Sequence, residues 1–179
     1  MDLKDTVVVY KSKYGSTKKY AQWIAEETKA DLFEGSEIVA SDLKEYATII
    51  FGGGLYAGGI AGISTLTKNY ELLKDKRIIV FTVGLSSTDK KEIFLPILEK
   101  SFSEEMQQRI SFFHLRGGID YKRLSIVHRV MMGMLKLVIS RKDPSDLSED
   151  DKGLLATYGK KVDFTDKSTI KPLLSYLER

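Results

Sequence analysis

Unbroken apolar runs recur along the chain at 6–10 (Thr6-Val7-Val8-Val9-Tyr10), 47–51 (Ala47-Thr48-Ile49-Ile50-Phe51), 77–83 and 110–114. Strands buried on both faces read this way, because helices cover each side of a parallel sheet. A weaker strand is predicted at 31–34. Between these runs the period changes. Tyr20, Ala21, Ile24 and Ala25 recur at intervals of three and four, which predicts a helix over 16–28. Further helical stretches are predicted at 63–73, at 89–108 in spite of Pro96, and at 167–177 in spite of Pro172. Strand and helix alternate with connections long enough for parallel crossovers, so the fold class is α/β, a doubly wound sheet of five strands. Ligands of such sheets lie beyond the carboxyl ends of the strands, where strand order reverses. The loops after strands one, three and four therefore matter most.

The most apolar window, 124–140, departs from this rhythm. On a helical wheel Ser125, Arg129, Gly133, Lys136 and Ser140 share one face, and apolar residues cover an arc of about 180°. Seventeen residues containing Arg129 and Lys136 make a poor transmembrane span. Two readings stand: a helix packed on the sheet or against a second copy as a homodimer, or a helix lying in a membrane interface, aided by Lys122, Arg123, Arg129, Lys136, Arg141 and Lys142. The whole chain, 1–179, is expected to be a single domain, with 121–160 as an amphipathic helical insertion before the last helix.

Composition narrows the chemistry. A length of 179 residues with 42% hydrophobic side chains suffices for one complete core. Cys 0 removes thiolate metal sites, disulfides and cysteine nucleophiles, and only two histidines, His114 and His128, leave little for a metal site or a Ser-His-Asp triad. No metal is expected, and neither histidine is given a role. A net charge of +3 from scattered basic residues does not point to nucleic acid. The first residues lack the basic and apolar regions of a secretory signal, so the expected location is cytoplasmic.

After the first strand, Ser12-Lys13-Tyr14-Gly15-Ser16-Thr17 opens directly into a helix. A helix N-terminus offers free N–H groups and the positive end of a dipole, and hydroxyls add donors, which suits a terminal phosphate; an ordinary cap is the plainer alternative. The Walker spacing is absent. The second loop holds six of the 14 glycines within residues 52–62, a density implying that something approaches the backbone closely. Gly52, Gly54 and Ala57 there satisfy G-x-G-x-x-A, the dinucleotide fingerprint, but two strands precede it and no acidic residue ends a following strand at the required distance. Tyr56 could offer its face to an aromatic ligand or pack over the sheet rim. The third loop, Val83-Gly84-Leu85-Ser86-Ser87-Thr88, is small and polar, suited either to the edge of a planar heterocycle or to capping a helix.

Taken together, 7–114 resembles the flavodoxin family. The first loop is similar to its phosphate loop, [ST]-x-[ST]-G-x-T, with Tyr14 departing at the third position, and the second and third loops resemble those that enclose the flavin. The resemblance implies strand order 2-1-3-4-5 and bound flavin mononucleotide (FMN). It assigns Ser12, Lys13, Tyr14, Gly15, Ser16 and Thr17 to the phosphate, and Gly54, Leu55, Tyr56, Ala57, Gly58, Val83, Gly84, Leu85 and Ser86 to the surroundings of the isoalloxazine. Flavodoxins are typically strongly acidic and carry an aromatic in the third loop; this chain does neither. Gly117-Gly118-Ile119-Asp120-Tyr121 and Val162-Asp163-Phe164-Thr165-Asp166 are similar to motifs of the menaquinone-dependent protoporphyrinogen oxidase branch. That resemblance implies a flavoprotein oxidoreductase passing electrons to a quinone. The alternatives are a small electron carrier docking on a redox partner protein, and a nonredox module without flavin.

Overall fold

In the computed structural model, which describes residues 4–56, 58–89 and 91–179, the predicted alternation gives a parallel sheet. Its strands are β1 (Lys4–Lys11), β2 (Asp31–Glu34), β3 (Tyr46–Tyr56), β5 (Arg77–Gly84) and β6 (Ser111–Arg116), in order β2-β1-β3-β5-β6. This is the expected doubly wound, flavodoxin-like order. A two-residue strand, β4 (Gly59–Ile60), folds back antiparallel on the end of β3. Alternate residues of each strand serve opposite cores. Val7, Val9, Ile49, Phe51, Ile78 and Val80 face one side, and Val8, Tyr10, Ile50, Ile79 and Phe81 face the other. Helix α1 (Ser16–Thr28) lays Tyr20, Ala21 and Ile24 on the second core, joined by Ile170 and Leu173 near the C-terminus. The first core is closed by the short helices α2 (Ser64–Thr67), α3 (Tyr70–Leu73) and α4 (Leu95–Ser101), which bury Leu66, Tyr70, Leu73 and Leu98.

Two predicted helices are interrupted. The stretch at 63–73 breaks at Asn69, whose side chain donates to the Thr65 carbonyl. The stretch at 89–108 breaks at Phe102, extended and buried, after which Ser103 caps α5 (Glu104–Arg109) by accepting from the Met106 N–H. Pro96 and Pro172 do not interrupt helices; each starts one, α4 and α8 (Lys171–Leu177), where a missing N–H costs nothing. The Arg77 guanidinium donates to the Tyr176 and Leu177 carbonyls at the end of α8.

The glycine run has a different meaning from the one expected. Gly52, Gly53 and Gly54 lie inside β3, and the groups that approach them belong to the protein. A Cβ on Gly52 would fall 2.1 Å from Cζ of the fully buried Phe81; on Gly53, 2.4 Å from Ile60 Cγ2; on Gly54, 2.6 Å from the Tyr56 ring.

The C-terminal third forms a second small layer. Strands β7 (Gly118–Asp120) and β8 (Lys161–Asp163) pair antiparallel, so the two motifs that resemble the oxidase branch lie side by side. Tyr20, fully buried, ties this layer to the sheet: its hydroxyl donates to the Arg116 carbonyl and accepts from the Asp166 N–H. Asp163 is held below the usual carboxylate range by the Thr165 N–H and hydroxyl, with Lys19 adding to the effect. Between β7 and β8 run α6 (Ile126–Ser140) and α7 (Glu149–Thr157), which pack on each other. The acidic start of α7 carries a capping box between Ser148 and Asp151.

Gly52→Ala is expected to cost about 1–3 kcal/mol through overpacking against Phe81. Urea unfolding of G52A, F81L and the double variant checks it: the double variant should lose less than the sum of the single losses. Strictly additive losses would place the clash elsewhere.

Candidate functional site

Parallel pairing carries Lys11 to Gly53, Gly54 to Val83 and Gly84 to Arg116, so the ends of β1, β3, β5 and β6 meet at one edge of the sheet. The loop after β1 turns at Gly15, whose φ of 101° is a conformation that β-branched residues avoid. The Gly15 N–H donates to Ser12 Oγ at 3.1 Å, and no side chain caps α1. The first turn of α1 therefore presents its N–H groups uncapped, with no acidic residue in that turn. Ser16 Oγ accepts from the Gly118 N–H at 3.1 Å, which leaves its own proton to donate. Thr17 is buried beneath the loop. This set of donors can take an anion.

Beside it lies a cavity of about 130 Å³. Tyr14, Ser16, Thr17, Leu55, Tyr56, Val83, Gly84 and Leu85 all line it, so residues predicted from all three loops come together. Ser12 and Gly15 shape the turn behind it, and the side chain of Lys13 is exposed. Gly54 is buried under the Tyr56 ring. Gly58 and Ser86 border an open groove on the far side of Leu55, with Phe94 and Ile97. Ala57 lies outside the described residues.

The remaining wall comes from residues that sequence reasoning did not select. Gly117 and Gly118 form the floor: the Gly117 N–H donates to the Gly84 carbonyl at 2.6 Å, and a Cβ on Gly117 would meet Val83 Cγ1 at 2.8 Å. From the C-terminal third, Leu124, His128, Met131 and Met132 roof the cavity. His128 stacks on Tyr56, ring centroids 5.4 Å apart and planes 18° apart, and its Nδ1 lies 2.6 Å from the Tyr14 hydroxyl. The Ser125 N–H donates to the same phenolic oxygen at 3.4 Å, so the Tyr14 hydroxyl joins the first loop to the start of α6. Tyr14 meets Tyr56 edge-on at 5.8 Å. The departure at the third position of the phosphate-loop pattern thus has a physical reason: a tyrosine there reaches α6, which a serine or threonine could not. Burial pushes the Tyr56 phenol above the ordinary tyrosine value, and the Lys13 and Tyr14 backbone N–H groups oppose that shift.

The third loop is partly engaged by the protein itself. The Leu85 carbonyl accepts from Arg116 Nε at 3.0 Å, and the Ser87 N–H donates to Asp150 at 3.1 Å. Those two groups are therefore satisfied without a heterocycle edge. His114 stacks on Phe94 and hydrogen-bonds Thr82, which holds it in packing away from the cavity.

A flavodoxin-domain family model matches residues 7–148. No curated protein matches the chain. Among solved structures the chain is similar to rubredoxin oxygen:oxidoreductase from the anaerobe Desulfovibrio gigas, with 13% identity and a TM-score of 0.49 over 99% of this chain and 37% of that one. This chain thus spans little more than a third of that protein's length. It is also similar to a flavodoxin from the domain Archaea (13% identity, TM-score 0.45, 98% of this chain and 100% of that one). A flavoprotein in complex with FMN from Lactobacillus acidophilus shares 17% identity at a TM-score of 0.38, over 63% of this chain and 92% of that one.

Tyr14→Phe removes the hydroxyl that joins the first loop to α6, a loss of about 1 kcal/mol. Amide hydrogen exchange over 124–132 should quicken roughly fivefold, the rate equivalent of that energy, with exchange in β3 little changed. Unaltered exchange at the start of α6 would show that the hydroxyl does not hold it.

Proposed function

We propose that this chain, which belongs to the flavodoxin-domain family, binds FMN noncovalently and works as a redox protein. The observation that carries the reading is the continuity of the site: an uncapped, hydroxyl-flanked helix N-terminus opens beside a cavity walled by Leu55, Tyr56, Val83 and Gly84. The donor set fits a phosphate monoester, and the apolar walls fit a flat ring system. FMN supplies reversible one- and two-electron transfer.

The residues of the chain divide the work. Gly15 turns the loop so that the first N–H groups of α1 converge, and Ser12, Ser16 and Thr17 add hydroxyl donors to the phosphate. Lys13 contributes positive charge at the loop surface. Leu55 and Tyr56 are assigned to one side of the ring and Val83, Gly84 and Leu85 to the other, with Gly58 and Ser86 at the groove beyond Leu55. His128 covers the face of Tyr56 that a ring would take, so binding requires His128 to yield that face.

The finer reading is an oxidoreductase of the quinone-dependent protoporphyrinogen oxidase type. Its support is the roof of Leu124, Met131 and Met132, whose apolar side chains suit an apolar acceptor. Transfer to a docked protein asks instead for an exposed ring edge. The pairing of 118–120 with 161–163 adds to this support, because it joins the two motifs that resemble that branch.

Fluorescence titration with FMN and riboflavin tests the cofactor. Gly15→Val, strained at a positive φ, should raise the FMN dissociation constant at least tenfold, about 1.4 kcal/mol. Thr17→Val should weaken FMN by a similar factor and leave riboflavin nearly unchanged, since only the former carries phosphate. No FMN binding by the unaltered chain, or equal weakening of both ligands, refutes the assignment. For the acceptor, anaerobically reduced protein should be reoxidised faster by a quinone than by a ferredoxin-type partner; the reverse order identifies a small carrier.

A further inference from the structure

The cavity uses only part of α6. In a helix successive residues are set about 100° apart, and three sectors emerge. His128, Met132 and Ile139 turn inward, with Met131 and Leu135 at the margin. Arg129 and Lys136 mark a basic edge. The third sector holds Ile126, Val127, Val130, Met134, Leu137 and Val138, all exposed, from 51% at Leu137 to 80% at Ile126. Six large apolar side chains on one face of a 15-residue helix form a continuous apolar stripe in water, the kind of surface that marks an interaction site.

The charges around the stripe select its occupant. Residues 121–142 contain six basic side chains (Lys122, Arg123, Arg129, Lys136, Arg141 and Lys142) and no acidic one. All six are exposed. Lys142 pairs with Asp151 at 2.8 Å, Lys136 lies over the Tyr158 ring, and Arg129 donates to the Leu124 carbonyl. A second copy docked stripe to stripe about a twofold axis would set these cations against themselves. An anionic lipid surface offers acyl chains to the stripe and negative headgroups to the basic residues. At 15 residues the helix is about 22 Å long, shorter than the roughly 30 Å hydrocarbon core, so it can lie in the interface but not cross it. Among the described residues no helix is long and apolar enough to cross a membrane.

We infer that the outward face of α6 docks this protein on an anionic bilayer, with the basic residues at headgroup level and the apolar stripe among the upper acyl chains. Met131 lines the cavity and is 37% exposed, so apolar surface continues from the stripe toward the site. The inference stands on exposure and charge alone and does not require the flavin; its bearing on a lipophilic acceptor rests on the redox reading above.

Vesicle flotation of the full chain tests it, with and without added FMN. The protein should float with phosphatidylcholine vesicles containing roughly 30% phosphatidylglycerol, bind at least tenfold less to phosphatidylcholine alone, and detach as salt rises. A Val130→Glu, Met134→Glu double variant should lose at least tenfold in partitioning, with its circular dichroism and FMN affinity retained. Arg123→Glu with Arg141→Glu should remove the preference for anionic vesicles. Failure to float, or equal binding to both vesicle types, overturns the inference. So does a micromolar dimer in sedimentation that the Val130→Glu, Met134→Glu variant dissolves, which would identify a second copy as the occupant. Floating without FMN binding upholds the docking surface and refutes the redox reading; FMN binding without flotation does the opposite.

Discussion

The parallel pairing of β3 with strands on both sides is the constraint from which the site follows. Neighbouring strands are held about 4.8 Å apart by their hydrogen bonds, and β3 must keep that spacing with β1 and β5 while the Phe81 ring crosses over it. Any Cβ at Gly52 would meet that ring, so glycine there lets β3 remain a strand as far as Tyr56. The same register sets Lys11 beside Gly53 and Gly54 beside Val83, which brings the Gly15 turn, the Tyr56 ring and the third loop to one edge. Tyr56 then folds back over Gly54, where the missing side chain leaves it room.

The C-terminal third completes the site. Arg116 and Asp150 engage the third loop, the Gly118 N–H engages Ser16, and the Tyr20 hydroxyl joins α1 to the start of the last helical segment through Asp166. Each contact satisfies a polar group that would otherwise lie unpaired near the sheet edge. The floor of the cavity, Gly117 and Gly118, is consequently fixed from two directions: by the ladder to Gly84 and by the pairing of β7 with β8.

The strands and α1 were legible because burial on two faces and on one helical stripe leaves different periods in the sequence, and no distant partner is needed to read them. The bounds of α1 follow directly from the spacing of Tyr20, Ala21, Ile24 and Ala25. The glycine run was legible as close approach, but not what approaches, since Phe81 belongs to another strand and its contact with Gly52 exists only once β3 and β5 pair. His128 was passed over for the same reason. Its partners Tyr14 and Tyr56 lie far earlier in the chain, and a single histidine on an apolar helix carries no local pattern. The one trace was Tyr14, a large side chain where the family pattern has a small hydroxyl. The helix breaks at Asn69 and Phe102 were likewise hidden, because tertiary burial and side-chain bonds set them against a continuous helical period.

Helix α6 shows why an apolar arc does not by itself identify a core face. Of the arc of about 180° expected from the wheel, Leu124 is buried while Val127, Val130, Met131, Met134, Leu135, Leu137 and Val138 are exposed; the neighbouring sector with His128, Met132 and Ile139 is the one that finds protein to pack against. A helix that covered the sheet face would turn the middle of its arc inward. Instead α6 is held by its beginning, through Tyr14 and Leu124, and along one flank, by α7, which leaves the arc turned to solvent. Burying the arc on the sheet would require breaking the hydrogen bond between Tyr14 and His128 and opening the roof of the cavity. The geometry that closes the site is therefore the same geometry that leaves the apolar stripe outside.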